Sequence, residues 1–230
     1  EMGVDSEFSP VENGISRINL KLKSIDGTEI NGAGPEIAPE KVEELIKKLD
    51  RLGEGDVLFL AGSIPASMPD NMYEKIMERL SGRGVATVVD ATGMLLVKVL
   101  KYHPFLVKPN HHELGEIFGV RIYTGEEAIP YGKKLQEMGA VNVLISMAGD
   151  GAILITEDGQ NIKMGTPKGK VVNSVGAGDS MVAGFVAGYL RGGSYEEALK
   201  SGTAAGSATA FSEGLASLEM YERMLKQISE

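Results

Sequence analysis

The sequence predicts an α/β protein, a mostly parallel sheet covered by helices on both faces, with a small β segment ahead of it. Three observations predict this. From Pro39 onward, stretches with helical spacing of apolar residues alternate with short, nearly continuous apolar runs, the pattern of parallel strands buried on both faces. Small and polar residues gather where those runs end. Residues 1–36 read differently, with apolar and polar residues alternating at period two. The division is therefore a small β segment over 1–36 and an α/β core over 37–230.

In the first segment Ile18, Leu20 and Leu22 alternate with Asn19, Lys21 and Lys23, predicting a strand with one face covered. Asp26-Gly27 is a turn signal, and Thr28 to Ile30 is expected to return antiparallel. The N-G-A-G-P run at 31–35 breaks regular structure. So small a sheet cannot stand alone in water, so it must lean on the core or on a partner. In the core, Pro39 suits a first helical turn, and Val42, Leu45, Ile46 and Leu49 form one stripe. Asp56 to Leu60 predicts a buried parallel strand, Pro69 to Leu80 a helix, and Val85 to Val89 a strand closed by Asp90. Gly93 to Lys101 is helical, Phe105 to Val107 a short strand, and helices follow near Asn110 and over Glu126 to Met138. Val141 to Ile145 and Ala152 to Thr156 are strands around a turn at 148–151. Three helical stretches complete the chain: Ala177 to Leu190, Tyr195 to Phe211 and Leu218 to Ile228.

Composition limits the partners. A chain of 230 residues, 43% hydrophobic, can bury one sizeable core, and no apolar run approaches the length of a membrane span. A net charge of −9 argues against nucleic acid or an anionic membrane as the main partner. There is no cysteine, which excludes disulfides and thiolate metal sites, and the N-terminus lacks the blocks of a secretory signal. A cytoplasmic protein is expected. Neither G-x-x-x-x-G-K-[ST] nor a G-x-G-x-x-G after a strand occurs, which disfavours phosphate-loop ATPases and dinucleotide-binding dehydrogenases.

Chemistry is concentrated in N-S-V-G-A-G-D-S-M-V-A-G-F-V at 173–186. Gly176, Ala177 and Gly178 leave backbone N–H groups unobstructed, and a helix start adds a positive dipole end, so the turn can hold an anion. Asp179 is repelled by an anion there, which a phosphate cradle with a fixed base beside it explains. The plainer reading is a close helix–sheet contact with an acid in a first helical turn. Lys108-Pro109-Asn110 leads to Glu113, one helical face from Asn110: either a capping box or an oxygen site for Mg²⁺, and the two are compatible. His103, His111 and His112 lack the spacing of a zinc site. Ser146 to Gly151 is a hairpin turn or a ligand loop, and Arg17 a solvated strand charge or an anion ligand. The clusters at 62–63, 108–110, 146–151 and 176–179 fall at predicted strand ends or in the turns after them, where ligands of open α/β sheets bind.

Taken together, these residues resemble the ribokinase-like carbohydrate kinases, the phosphofructokinase-B group. The 173–186 stretch fits that family's second signature at every constrained position. K-P-N-x-x-E at 108–113, A-G-S-I-P at 61–65 and S-M-A-G-D-G at 146–151 support it. S-R-I-N-L-K-L at 16–22 and G-x-G-P-E-I at 32–37 are similar to the sugar-phosphate branch, the kinases of fructose 1-phosphate and tagatose 6-phosphate. The resemblance implies ATP and Mg²⁺ as cofactors and a sugar phosphate, foremost fructose 1-phosphate, as substrate. By it, Asp179 is the base, and the amides of Gly176, Ala177 and Gly178 stabilise the transferred phosphoryl group. Asn110 and Glu113 serve Mg²⁺. Lys108, Asn110, Ser146, Met147, Ala148, Gly149, Asp150, Gly151 and Gly178 line the ATP site, with Thr203, near a helix start, beside the adenine. Arg17 grips the substrate's own phosphate with Ser63 nearby, and the strands of 16–30 form a lid that can also mediate a homodimer. The family's first core strands, its acid for sugar hydroxyls and its G-G-K-G-type motif are not found, so the chain by itself is expected to be weakly active or inactive. Rival readings are a kinase of a non-phosphorylated sugar or nucleoside, a non-catalytic nucleotide-binding module, and a purely structural α/β domain.

Overall fold

The computed structural model describes residues 3–21 and 29–229. Two compact units divide the chain, one formed by 1–56 and 63–85, the other by 57–62 and 86–230. Among the described residues no helix is long and apolar enough to cross a membrane.

In the first unit β1 (Asn19–Lys21) pairs antiparallel with β2 (Glu29–Asn31), Leu20 opposite Ile30. The Gly32 N–H adds a rung to the Ile18 carbonyl at 3.0 Å. The predicted pairing is present; Leu22 and the Asp26-Gly27 turn lie outside the described residues. One expectation is corrected: Ile18, Leu20 and Ile30 are all at least 50% exposed, because a two-stranded ribbon has no second layer of its own. Helix α1 (Pro39–Lys48) begins with Pro39 at its first position and tightens into a 3₁₀ turn over Leu49–Arg51. Helix α2 (Met72–Leu80) starts three residues later than predicted, since Pro65 and Pro69 first shape hydrogen-bonded turns, their carbonyls accepting from the N–H groups of Met68 and Met72. Asp50 ties the 3₁₀ turn to the end of α2, accepting from Arg79 Nε and Nη2, both at 2.7 Å, and lying 3.4 Å from Arg83 Nη1.

The second unit is a six-stranded sheet in the order β3-β4-β5-β6-β7-β8. Strands β3 (Val57–Ala61), β4 (Ala86–Asp90), β5 (Leu106–Val107) and β6 (Asn142–Ser146) run parallel. Strands β7 (Ala152–Ile155) and β8 (Asn161–Met164) turn antiparallel. The sheet is therefore mostly parallel, as predicted. Strand β3 is an edge strand among the described residues and leaves Phe59 43% exposed, so the expectation of a buried strand there is corrected. Strand β8 was not foreseen, although Asp158-Gly159, with Gly159 at φ 87, is a hairpin signal that marks it.

Helices cover both faces. Leu144 and Leu154 pair across β6 and β7 and pack with Val182, Phe185 and Leu199 of α6 (Ala177–Gly192) and α7 (Tyr195–Ala210). Ile145 and Ile153, the next pair, face the opposite way. Helix α5 (Gly125–Glu137) lies against that face so closely that a Cβ on Gly132 would come within 2.9 Å of Ile145 Cδ1. Helices α3 (Gly93–Val99) and α4 (His111–Phe118) continue the layer that α5 begins. Helix α8 (Leu218–Ser229) packs Met224 on Ala204 and Ala208 of α7. The α6–α7 seam is built from small residues: a Cβ on Gly184 would meet the Ser201 carbonyl oxygen at 2.8 Å, and one on Gly202 the Met181 carbonyl oxygen at 2.8 Å.

Candidate active site

Because β3 to β6 are parallel, their carboxyl ends share one edge, and the chain after each contributes to it. The Gly62 N–H donates to the Asp90 carbonyl at 3.1 Å, Lys108 N–H to Val89 at 3.1 Å, and Ser146 N–H to Pro109 at 3.2 Å. Asn110 caps α4 in a full capping box: its Oδ1 accepts from Glu113 N–H and its own N–H donates to Glu113 Oε2, each at 2.8 Å. The box removes one oxygen from each side chain and leaves the second Glu113 oxygen outside it.

The 173–186 stretch forms the turn and helix it predicts. Gly176 is the N-cap of α6 at φ 79, a conformation that glycine takes without strain, and α6 starts at Ala177. The Ala177 N–H donates to the Ser174 carbonyl at 3.2 Å and the Ser180 N–H to Gly176 at 2.9 Å. Between them, the amides of Gly178 and Asp179 meet no acceptor among the described residues. These two amides, more than that of Ala177, are the open anion donors. The Asp179 side chain is exposed.

Lys108 lies directly behind Gly178. It is 5% exposed, its Nζ is 3.1 Å from Asp90 Oδ1, and a Cβ on Gly178 would come to 3.3 Å from that nitrogen. Asp90 is the functional candidate that sequence reasoning passed over. The available signal was its place at a parallel strand's carboxyl end, like the other candidates. Burial pushes the Asp90 carboxyl above its ordinary value; Lys108 opposes this, and the charges of Glu113 and Asp179 add to it. Three carboxylates and one ammonium thus share a field.

A cavity of about 470 Å³ opens at this edge, with Lys108, Asn110, Ser146, Ala148, Gly149 and Gly178 among its walls. The loop of 146–151 holds its shape by Met147 N–H to Gly151 at 2.8 Å, and at Gly151, φ 95, a Cβ would strike the Met164 carbonyl oxygen. Met147 and Asp150 line a separate hollow with Lys163 and Glu126 instead. Thr203 requires a correction. It lies in the middle of α7 rather than near a helix start and is fully buried, whereas Gly206, Ser207 and Ala210 line the cavity further along α7. Phe211, stacked over Gly169, and Ser207 were missed, because no local pattern marks which turn of a helix borders a cavity. In the other unit Arg17 stands two residues before β1 rather than inside it, and its Nη1 donates to Ser63 Oγ at 2.7 Å. The predicted pair is together.

Fold and signature define a class, and the chain belongs to it: the pfkB family of carbohydrate kinases, whose profile matches residues 1–220. Among its relatives, a 1-phosphofructokinase of Bacillus subtilis is 50% identical over 99% of this chain and 75% of its own length. A D-tagatose-1-phosphate kinase of Bacillus licheniformis is 39% identical over 97% of this chain and 73% of its own. A Staphylococcus aureus structure, provisionally named a phosphofructokinase, superposes with a TM-score of 0.81 at 42% identity, over 87% of this chain and 65% of that one. An Arabidopsis thaliana ribokinase structure, 23% identical with a TM-score of 0.67 over 86% of this chain and 65% of that one, shares the fold, so the ribokinase-like architecture is established.

Proposed function

We propose that the chain performs ATP-dependent phosphorylation of a ketohexose 1-phosphate, foremost fructose 1-phosphate, giving the 1,6-bisphosphate and ADP. The observation that carries this is the pair of open amides at Gly178 and Asp179 beside a buried cation and an exposed carboxylate, in a chain half identical to a 1-phosphofructokinase. In this reading Asp179 takes the proton of the attacking hydroxyl, whose oxygen bonds to the γ-phosphorus while the bond to the β-γ bridging oxygen breaks and ADP leaves with the electron pair. The amides of Gly178 and Asp179 face the charge on the phosphoryl group in transit, and Ala177 joins them if its bond to Ser174 yields. The open Glu113 oxygen fits a Mg²⁺ ion held mostly by phosphate and water, since no three acidic or histidine side chains among the described residues suffice to hold a metal. Such an ion neutralises phosphate charge. Arg17, with Ser63, is the candidate for the substrate's existing phosphate.

The test is ADP release with Mg²⁺-ATP and a panel of sugars and sugar phosphates. Asp179→Asn is expected to abolish transfer and leave ATP binding by calorimetry largely intact. Retained turnover removes Asp179 as base, and binding without any turnover in the parent protein favours a non-catalytic nucleotide-binding module. D-Tagatose 1-phosphate is the second substrate to try, because of the 39% identical relative. The exposed Leu20 and Ile30 of the ribbon support a homodimer through β1 and β2. Sedimentation of Leu20→Lys is expected to show monomers, and an unchanged species would exclude that surface.

A further inference from the structure

We propose that Asp90 is a positioning residue for phosphoryl transfer, acting through Lys108, whose ammonium it fixes behind the first turn of α6. The inference rests on the phosphoryl-transfer reading above and adds a part to it. Lys108 is the only buried charged residue among those described. A four-carbon stem leaves an ammonium many positions, and burial makes most of them costly without a partner. The sheet supplies the partner by register: Val89 pairs with Val107, so the next residues, Asp90 and Lys108, stand side by side at the carboxyl edge. Both backbones are fastened there, Asp90 by Gly62 and Lys108 by Val89.

The ion pair backs onto Gly178 of α6. A Cβ on Gly178 would meet Lys108 Nζ at 3.3 Å, Lys108 Cε at 3.5 Å and Asp90 Oδ2 at 3.9 Å. Gly178 carries one of the two open amides, so the cation lies immediately behind the anion donors. A positive charge already in place where negative charge develops needs no rearrangement during the reaction. Stability alone gives a poor account of the pair. Asp90 is desolvated and shares the field of Glu113 and Asp179, and buried pairs are often replaceable by neutral groups without loss. A carboxylate kept in so unfavourable a place is better explained by what it holds.

The experiment is a double-mutant cycle of the parent protein, Asp90→Asn, Lys108→Met and the combined variant, whose neutral pair is the one least prone to unfold. Each is measured for kcat, KM for ATP, melting temperature, and calorimetric affinity for ATP and ADP. Asp90→Asn is expected to lower kcat on the order of 10- to 100-fold with KM for ATP little changed, and the combined variant to be no slower than Lys108→Met. Losses that multiply, or a kcat unmoved while the melting temperature falls, would overturn the inference in favour of a structural pair. If the parent protein phosphorylates nothing, the functional reading fails separately. The same four proteins then decide by affinity: a preference for ATP over ADP that is lost in Asp90→Asn and no further in the combined variant supports the inference, and an unchanged preference refutes it.

Discussion

Replacing Gly202 by alanine sets two effects of opposite sign against each other. Alanine favours a helix interior over glycine by about 1 kcal/mol, so local propensity predicts a more stable protein. The seam says otherwise. The new Cβ would lie 2.8 Å from the Met181 carbonyl oxygen, 3.1 Å from Phe185 Cβ and 3.2 Å from Phe185 N, all on α6. Ordinary contact begins near 3.4 Å, so the α6 backbone must retreat by about 0.6 Å, with no flexible side-chain end to absorb the move. Overpacking of this kind costs roughly 1–3 kcal/mol, for a net loss of up to about 2 kcal/mol after the propensity gain. For a chain of this size that lowers the melting temperature by up to about 8 °C. Met181 is two residues beyond Asp179 on the same helix, and a 1 Å misplacement of reacting groups can cost about 100-fold, so kcat is expected to fall about tenfold. Thermal melting and saturating turnover are compared with Gly192→Ala, where a Cβ meets nothing within 4 Å and a gain of about 0.4–1 kcal/mol is expected. If Gly202→Ala melts at or above the parent temperature with unchanged turnover, the seam does not position the site and the reasoning fails.

Asn110→Ala removes the cap of α4 and is expected to cost about 0.5–2 kcal/mol in urea unfolding, while Asn110→Asp keeps the cap and stays within a few tenths. If Asp at 110 also binds ATP as tightly as Asn, its assignment to the nucleotide falls, since a new carboxylate should repel the phosphates. For pH, Asp50 is held below its ordinary value, first by its hydrogen bond to Arg79 and further by Arg83. A depressed carboxyl contributes stability above its unfolded pKa, near 3.8, and loses it as pH falls through the folded value. Asp50→Asn is therefore expected to flatten the loss of stability below about pH 4, and 1 M salt to mimic it; an unchanged acid limb would show that the pair contributes nothing.

Much of the protein was legible locally. Every helix but one begins within two residues of its predicted start, because a stripe such as Val42, Leu45, Ile46 and Leu49 is written in consecutive residues. The exception, α2, was delayed by two prolines whose turns the pattern does not weigh. The site was legible wherever glycine or a cap was needed: at Gly176 with its positive φ, at Gly151, and at Asn110 and Glu113. It was not legible where partners are far apart in sequence. Asp90 and Lys108 are eighteen positions apart and meet only through the register of β4 and β5. Thr203 looked like a cavity residue and is core, because the rotation of α7 is set by its glycines against α6.

The sequence by itself determined the order of the elements, the helix start at Gly176 to Asp179 and the family to which that stretch belongs. Periodicity, turn chemistry and cap chemistry act between residues a few positions apart, and they survive reading without a structure. Only the tertiary structure decided that Lys108 is buried against Asp90, that it stands behind Gly178, and that two amides of α6 are left open. Those facts depend on strand register and helix packing, which many distant side chains fix together and no single stretch encodes.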